Sequence, residues 1–175
     1  MDRSGVTVRR IPVAIAVLAG AIMALNVIPV AAAGSERNEI NLRVLELTNA
    51  ERQNAGLAPL ALNPQLSDAA LKYSEVLASG SCFEHSCGAV PDFADRLGQV
   101  GYTGWAAIAE NIAAGYPTPD AVVAGWMASE GHRANILSPN YREIGIGMVT
   151  GGSFGTYWTQ EFGSRPDDQG AEPAE

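Results

Sequence analysis

The sequence predicts a single α+β domain in which helices come first and a β-hairpin comes last. Four segments in its first three quarters carry apolar residues at helical spacing. After residue 143 the period changes to two, with isoleucine and methionine alternating with glycine. Helices and strands that are separated along the chain in this way indicate an α+β domain. The length of 175 residues is enough for one domain of ordinary size.

The first two helices are predicted from apolar stripes that end at glycine. The first covers residues 35–55, and its stripe is widened by Leu42 and Leu45. The second begins at Asn63–Pro64, because asparagine caps a helix and proline suits the first helical position. This helix is expected to end at Gly80.

Two further helices are predicted in the middle of the chain. A short third helix begins at Phe93 and ends at Gly101. A fourth begins at Thr118–Pro119, which repeats the combination of a capping residue and proline. Gly131 is expected to end this helix, and residues 132–137 are expected to form one more helical turn.

The strand signals lie mainly in the last third. Residues 144–148 alternate between large and small side chains, which is typical of a strand with one slim face. Residues 151–153 read as a turn, and residues 156–162 form a second strand rich in aromatic residues and threonine. Together they predict a hairpin. Residues 108–113 are interpreted as either a strand or an extended loop.

Residues 1–33 have the pattern of a secretory signal peptide. Arg9 and Arg10 precede a long apolar run that ends in three alanines. The alternative is an uncleaved membrane anchor, but Asn26 and Pro29 interrupt the run and the alanine exit suits cleavage. We therefore expect a secreted protein, extracellular or in the cell envelope, with no stable membrane anchor after cleavage.

The charge balance restricts the class of partner. The signal peptide contains three arginines and one aspartate, so its removal changes the formal net charge from −8 to −10. An acidic surface repels nucleic acid and anionic membrane, so neither is expected as a partner. The acidic, proline-containing tail, residues 164–175, is predicted to be disordered.

The only two cysteines, Cys82 and Cys87, enclose a segment that contains His85. In an exported protein, two cysteines this close together are expected to form a disulfide. The alternative is a zinc site made by both cysteines and His85, but this spacing is not a common zinc pattern. The disulfide is therefore the favoured prediction, and it would fix the direction in which His85 points.

The stretch 104–139 contains the other histidine, His132, together with Glu110 and Glu130. With His85, these groups could bind a divalent metal ion, since imidazole suits zinc and a carboxylate can complete or orient the set. The same groups could transfer protons. The sequence contains neither an H-E-x-x-H motif nor a G-x-S-x-G motif, so no helix-borne metalloprotease site and no serine nucleophile elbow is indicated.

Five motifs occur in a fixed order between residues 40 and 163: LTNAERQNAGLAPL, FEH, AENIAAG, GWMASEGHRANILSPNYREIGIG and YWTQEFG. This order resembles the CAP superfamily of cysteine-rich secretory, antigen 5 and pathogenesis-related 1 proteins, also called SCP domains, and in particular its compact bacterial branch. AENI combined with W-x-x-S-x-G-H-R-x-N-I-L is a specific signature. The resemblance implies a three-layer α-β-α sandwich with a central antiparallel sheet over residues 34–163.

The resemblance also implies a cleft with two histidines and two acidic residues, which in some family members holds zinc or another divalent ion. His85 matches the histidine of FEH, and His132 matches the histidine of G-H-R-x-N-I-L. Glu110 matches the glutamate of G-E-N-[IL], with Ala109 in place of the usual glycine. Other matching positions are interpreted as packing or hydrogen-bonding residues: Arg96, Asn111, Trp126 and Asn135.

The fourth cleft position departs from the eukaryotic pattern, in which an acid lies three residues after the tryptophan. Ser129 stands there in this chain, and Glu130 follows it. One residue turns a helical side chain by about 100°, so Glu130 could miss the cleft. The predicted metal ligands are therefore His85, Glu110 and His132, with Glu130 as a weaker candidate.

Three functions are compatible with this cleft. The favoured one, implied by the resemblance, is a secreted binding module that holds a divalent ion, zinc before others, and takes a lipid, sterol or protein ligand. The alternative is a hydrolase, in which Glu110 would be the catalytic general base. In the third, the cleft residues are purely structural.

Overall fold

The computed structural model describes residues 30–80, 82–88 and 90–166, which form five helices and four strands. The helices are α1 Val30–Asn54, α2 Pro64–Ala78, α3 Phe93–Gln99, α4 Pro119–Ala128 and α5 Glu130–Ile136. The strands are β1 Ala61–Leu62, β2 Ala107–Ala114, β3 Glu143–Gly151 and β4 Gly155–Ser164. The caps predicted at the starts of α2 and α4 are confirmed, because Asn63 and Thr118 accept hydrogen bonds from the first-turn backbone.

The strands form one sheet in the order β1-β3-β4-β2. The pairs β2–β4 and β3–β4 are antiparallel, which confirms the hairpin and shows that residues 108–113 are a strand. The two-residue β1 adds a short parallel pair at the other edge. Register places Glu110 of β2 directly opposite Glu161 of β4, on the same face of the sheet.

Helices cover both faces of the sheet, so the predicted α-β-α sandwich is confirmed. On one face α2 packs directly onto the backbone of β3, because a Cβ atom at Gly145 or Gly147 would lie 2.0 or 2.3 Å from α2 main-chain atoms. On the other face, Ile144 and Ile146 join the largest apolar cluster together with side chains from α1, α4 and α5. The glycine face of β3 therefore packs against α2, and its isoleucine face contributes to the core.

The inner face of α1 differs from the predicted stripe. Leu42, which was expected to widen that stripe, is 47% exposed. Thr48 and Arg52 are buried instead. Arg52 donates hydrogen bonds to the backbone oxygens of three residues outside α1, Ala58, Ile136 and Ser138. The polar side chain of Arg52 can be buried in this position because these carbonyl groups accept its hydrogen bonds.

The prediction that Gly131 ends the fourth helix is wrong. Helix α4 ends at Ala128, and Ser129 adopts an extended conformation, with φ −97° and ψ 125°. A new helix, α5, then begins at Glu130 and includes Gly131. The break at Ser129 separates the two helices and gives α5 its own position beside β2.

Both predicted terminal segments lie largely outside the described residues. Residues 30–33, the last of the predicted signal peptide, belong to α1, and its cleavage stays a prediction. At the other end β4 continues through the buried Ser164, which was expected to begin the tail. None of the helices in the described part of the chain is both long and apolar enough to cross a membrane.

Candidate functional site

The loop that carries His85 is fixed at three points. The predicted disulfide between Cys82 and Cys87 closes it, with a Cα–Cα distance of 5.8 Å. The hydroxyl of Tyr73 donates a hydrogen bond to the backbone oxygen of Glu84. Arg96 donates a hydrogen bond of 3.2 Å to the backbone oxygen of His85 itself. The position of His85 is therefore determined by α2, α3 and the disulfide together.

His85 is held by a buried carboxylate. Its Nδ1 lies 2.8 Å from Oε1 of Glu110, whose side chain is 1% exposed. The other oxygen of Glu110 accepts a hydrogen bond from the guanidinium of Arg96. Because Nδ1 of His85 donates a hydrogen bond to Glu110, the other ring nitrogen, Nε2, is available to another partner. The ring can reach such a partner, since the His85 side chain is 53% exposed.

His132 lies on α5 and lines a cleft of about 260 Å³ at the free edge of β2. The other lining residues are mostly apolar and include Phe83, Ile112, Ala113, Trp126 and Ser129. Burial, and after it the nearby charge of His85, lowers the pKa of His132 below its ordinary value. The lowered pKa favours the neutral form of the His132 ring.

Side-chain amides and an indole attach α4 and α5 to the outer edge of β2. Asn111 donates to the backbone oxygen of His132 at 3.1 Å, and Asn135 donates to Asn111 Oδ1 at 2.8 Å. The indole of Trp126 donates to the backbone oxygen of Ile112 at 3.3 Å. These are the hydrogen-bonding roles expected for the three residues. The contacts determine where α5 holds His132.

Glu161 is a residue of the site that the sequence did not single out. It is fully buried on β4 beside Glu110, with Arg96 at 4.0 Å. Burial and the adjacent Glu110 raise the pKa of Glu161 well above its ordinary value. The only sequence signal that could have indicated Glu161 is its place in the strand motif YWTQEFG. It stands there two residues after Thr159, which is buried.

The structure brings some of the predicted metal ligands together and leaves one apart. Glu130 is solvent-exposed at the start of α5, whereas Ser129 lines the cleft. In the described part of the chain, no group of three or more His, Cys, Asp or Glu side chains is arranged to hold a metal ion. Both oxygens of Glu110 already bond to protein groups. The residues that could hold a metal ion are therefore His85 and His132, with Glu110 hydrogen-bonded to His85.

These features agree with the comparisons to known proteins. The chain matches the CAP family, described as the cysteine-rich secretory protein family, over residues 45–162, and it belongs to that family. The expected family is thus confirmed. A crystal structure of an extracellular protein containing an SCP domain, from Bacillus anthracis str. Ames, is similar with a TM-score of 0.70 and 27% identity. The match covers 81% of this chain and 45% of that protein.

Two relatives from Bacillus subtilis (strain 168) match over 120 residues, or 69% of this chain. The uncharacterized protein YkwD is 43% identical, and the match covers 45% of its length. The uncharacterized membrane protein YlbC is 33% identical, and the match covers 33% of its length. The chain therefore spans less than half of the length of either curated relative.

Proposed function

We propose that this CAP domain is an extracellular binding module whose cleft holds a divalent metal ion between His85 and His132. The observation that supports this most strongly is the hydrogen bond from Nδ1 of His85 to the buried Glu110. Metal-binding histidines commonly donate their second ring nitrogen to a carboxylate, which orients the ring and increases its basicity. Glu110 would supply that support, and Nε2 of His85 would bind the ion.

In this arrangement Glu110 is a positioning residue and not a ligand. Its two oxygens are bonded to His85 and Arg96, so binding a metal would break one of these contacts. Two imidazoles leave the remaining coordination positions open to water or to a group from a partner. We propose zinc first, because imidazole nitrogen is among its preferred ligands.

The apolar lining of the cleft supports a ligand with an apolar part, in addition to the metal ion. Ile112, Ala113 and Trp126 line it next to His132. Its volume of about 260 Å³ is slightly below the roughly 300–1,000 Å³ of typical small-molecule sites. A lipid or sterol would therefore enter only with its apolar end, and an apolar side chain of a protein would fit equally well.

Secretion is part of the proposal. The signal-peptide pattern of residues 1–33 supports it, as does the similarity to the extracellular protein of Bacillus anthracis. The disulfide between Cys82 and Cys87 also favours an oxidising compartment.

The hydrolase alternative has weaker support. A general base must reach the proton that it removes, directly or through one water molecule. The Glu110 side chain is 1% exposed and both its oxygens accept hydrogen bonds from protein groups. The same contacts are compatible with a purely structural cleft, so metal binding has to be measured directly.

Isothermal titration of metal-free, untagged protein with zinc tests the proposal. We expect one site per chain in the wild type, and loss of that site in both His85→Gln and His132→Gln. Glu130→Gln is the matched control, because Glu130 is exposed on the same helix as His132, and it should bind zinc like the wild type. Absence of binding by the folded wild type, or unchanged binding by both histidine variants, would overturn the proposal.

A further inference from the structure

Glu161 is a buried acidic residue whose oxygens accept no hydrogen bond from a donor among the described residues. The side chain within hydrogen-bonding reach is another carboxylate, that of Glu110. The exposed fraction of Glu161 is 0%. An ionised carboxylate in such a position would carry the full cost of losing its hydration. The surroundings of Glu161 must therefore either neutralise its charge by an ion pair or keep it protonated.

The elements packed against Glu161 offer it little compensating charge. Strand β2 presents Glu110, which has the same charge. Strand β3 presents Gly145, which has no side chain. Helix α3 presents Arg96, and α2 presents Tyr73, whose ring lies against the Arg96 guanidinium at 3.4 Å. Arg96 is thus the only cation facing Glu161 from these elements.

Arg96 is already committed to Glu110. Its terminal nitrogen donates to Glu110, whereas the distance from the same nitrogen to Glu161 Oε1 is 4.0 Å. Arg96 and the His85 ring both bond to Glu110 and not to Glu161. An ionised Glu161 would therefore have no cation in direct contact with it in the interior. A single proton shared by the two carboxylates removes that charge, as in other closely spaced acid pairs.

We propose that Glu161 is a neutral carboxylic acid that donates its proton to Glu110 and thereby helps to position Glu110 against His85. Burial and the neighbouring Glu110 favour the protonated form of Glu161. A carboxylate oxygen has two lone pairs, so Glu110 can accept this bond in addition to those from His85 and Arg96. Glu161 would then be a positioning residue that acts on the cleft through Glu110.

The protonation of Glu161 is inferred for the metal-free protein and does not rest on the proposed function, whereas the positioning role in the cleft does. Infrared spectroscopy of metal-free protein at pH 7 tests the first part. We expect the C=O stretch of a protonated carboxyl group in the wild type and its loss in Glu161→Gln. Glu75→Gln, at an exposed glutamate on α2, is the control and should keep the band. A wild type without the band, or a Glu161→Gln variant that keeps it, would overturn the inference.

The positioning role is tested by the tautomer of His85, measured by nitrogen NMR on the same metal-free proteins. Glutamine at position 161 can still donate to Glu110, so we expect the Nδ1-protonated form of His85 to persist in Glu161→Gln. Glu161→Leu removes the donor and should lower the population of that form and weaken zinc binding on the order of tenfold. If Glu161→Leu leaves the His85 tautomer unchanged, the positioning role is refuted. If only the zinc titration fails in the wild type, the metal proposal fails and the acid pair stands.

Discussion

Asn111, at the centre of the edge strand β2, donates a hydrogen bond of 3.1 Å to the backbone oxygen of His132 on α5. Its amide nitrogen also lies 3.1 Å from Gln160 Oε1 on β4, and Gln160 reaches Thr48 on α1. A buried polar connection thus runs from the cleft, through the sheet, to the first helix. It makes the position of His132 depend on the sheet and not only on its own short helix.

Replacing Asn111 by leucine should therefore reduce both stability and zinc affinity. The change leaves the His132 carbonyl and the side-chain oxygen of Gln160 without their donor, which costs about 2–4 kcal/mol in the free energy of unfolding. Urea denaturation and zinc titration measure the two effects. Asn140→Leu, at an exposed position, is the control and should change stability by less than about 0.5 kcal/mol. Equal behaviour of the two variants would disprove the role of Asn111.

Arg52 should contribute far more to stability than Arg43, although both lie on α1. Arg52 is buried and donates to three backbone oxygens, whereas Arg43 forms a surface ion pair with Asp120. Arg52→Met should lower the free energy of unfolding by about 2–4 kcal/mol, because it leaves carbonyl groups unsatisfied. Arg43→Met should lower it far less, because water screens an exposed ion pair. Denaturant unfolding of both variants decides this, and a larger effect at Arg43 would contradict it.

The close contact of α2 with β3 predicts that Gly147 tolerates no side chain. A Cβ at this position would lie 2.3 Å from the backbone of Ala70. Gly147→Ala should destabilise the domain by about 3 kcal/mol or more, since overpacking at main-chain atoms forces α2 away. Gly98→Ala on α3, where an added Cβ would meet no atom from outside its own helix within 4 Å, should instead stabilise it by about 0.5–1 kcal/mol. Thermal unfolding distinguishes the two, and a mild effect at Gly147 would show that the layers are less tightly packed.

The burial of Glu161 predicts a pH dependence that Glu161→Gln removes. The pKa of Glu161 is raised in the folded state, so its contribution to stability is complete below the ordinary glutamate value of 4.5 and is lost as pH rises towards the folded pKa. Wild-type stability relative to Glu161→Gln should therefore fall above pH 4.5, by up to about 1.4 kcal/mol per pH unit. Urea unfolding at several pH values between 4.5 and 7.5 measures this. Parallel curves for the two proteins would rule it out.

The elements that could be predicted from the sequence are those fixed by neighbouring residues. Asn63 and Thr118 cap their helices through bonds to the next few residues, and the β3–β4 hairpin follows from local alternation and a glycine turn. The pairing of β2 with β4 joins segments about 50 residues apart, and no local pattern encodes it. The local pattern therefore left residues 108–113 as either a strand or an extended loop.

The candidate site also combines features set by neighbouring residues, which were predictable, with features set by distant elements, which were not. The disulfide and the location of His85 follow from a short loop, and the resemblance indicated Glu110 and His132. The motif YWTQEFG contains Glu161 but does not reveal its role, because the proposed protonation depends on a carboxylate and a guanidinium supplied by two other elements. Arg52 was missed for a related reason, since its burial is compensated by carbonyl groups outside its own helix.

Anomalous X-ray diffraction at the zinc edge tests the two-histidine cleft most directly. Crystals of untagged protein should be grown with zinc and without chelator. We expect one anomalous peak within bonding distance of Nε2 of His85 and of an imidazole nitrogen of His132, with Glu110 still bonded to Nδ1 of His85. A peak bound by Glu110 itself, or zinc found only away from these two histidines, would contradict this assignment.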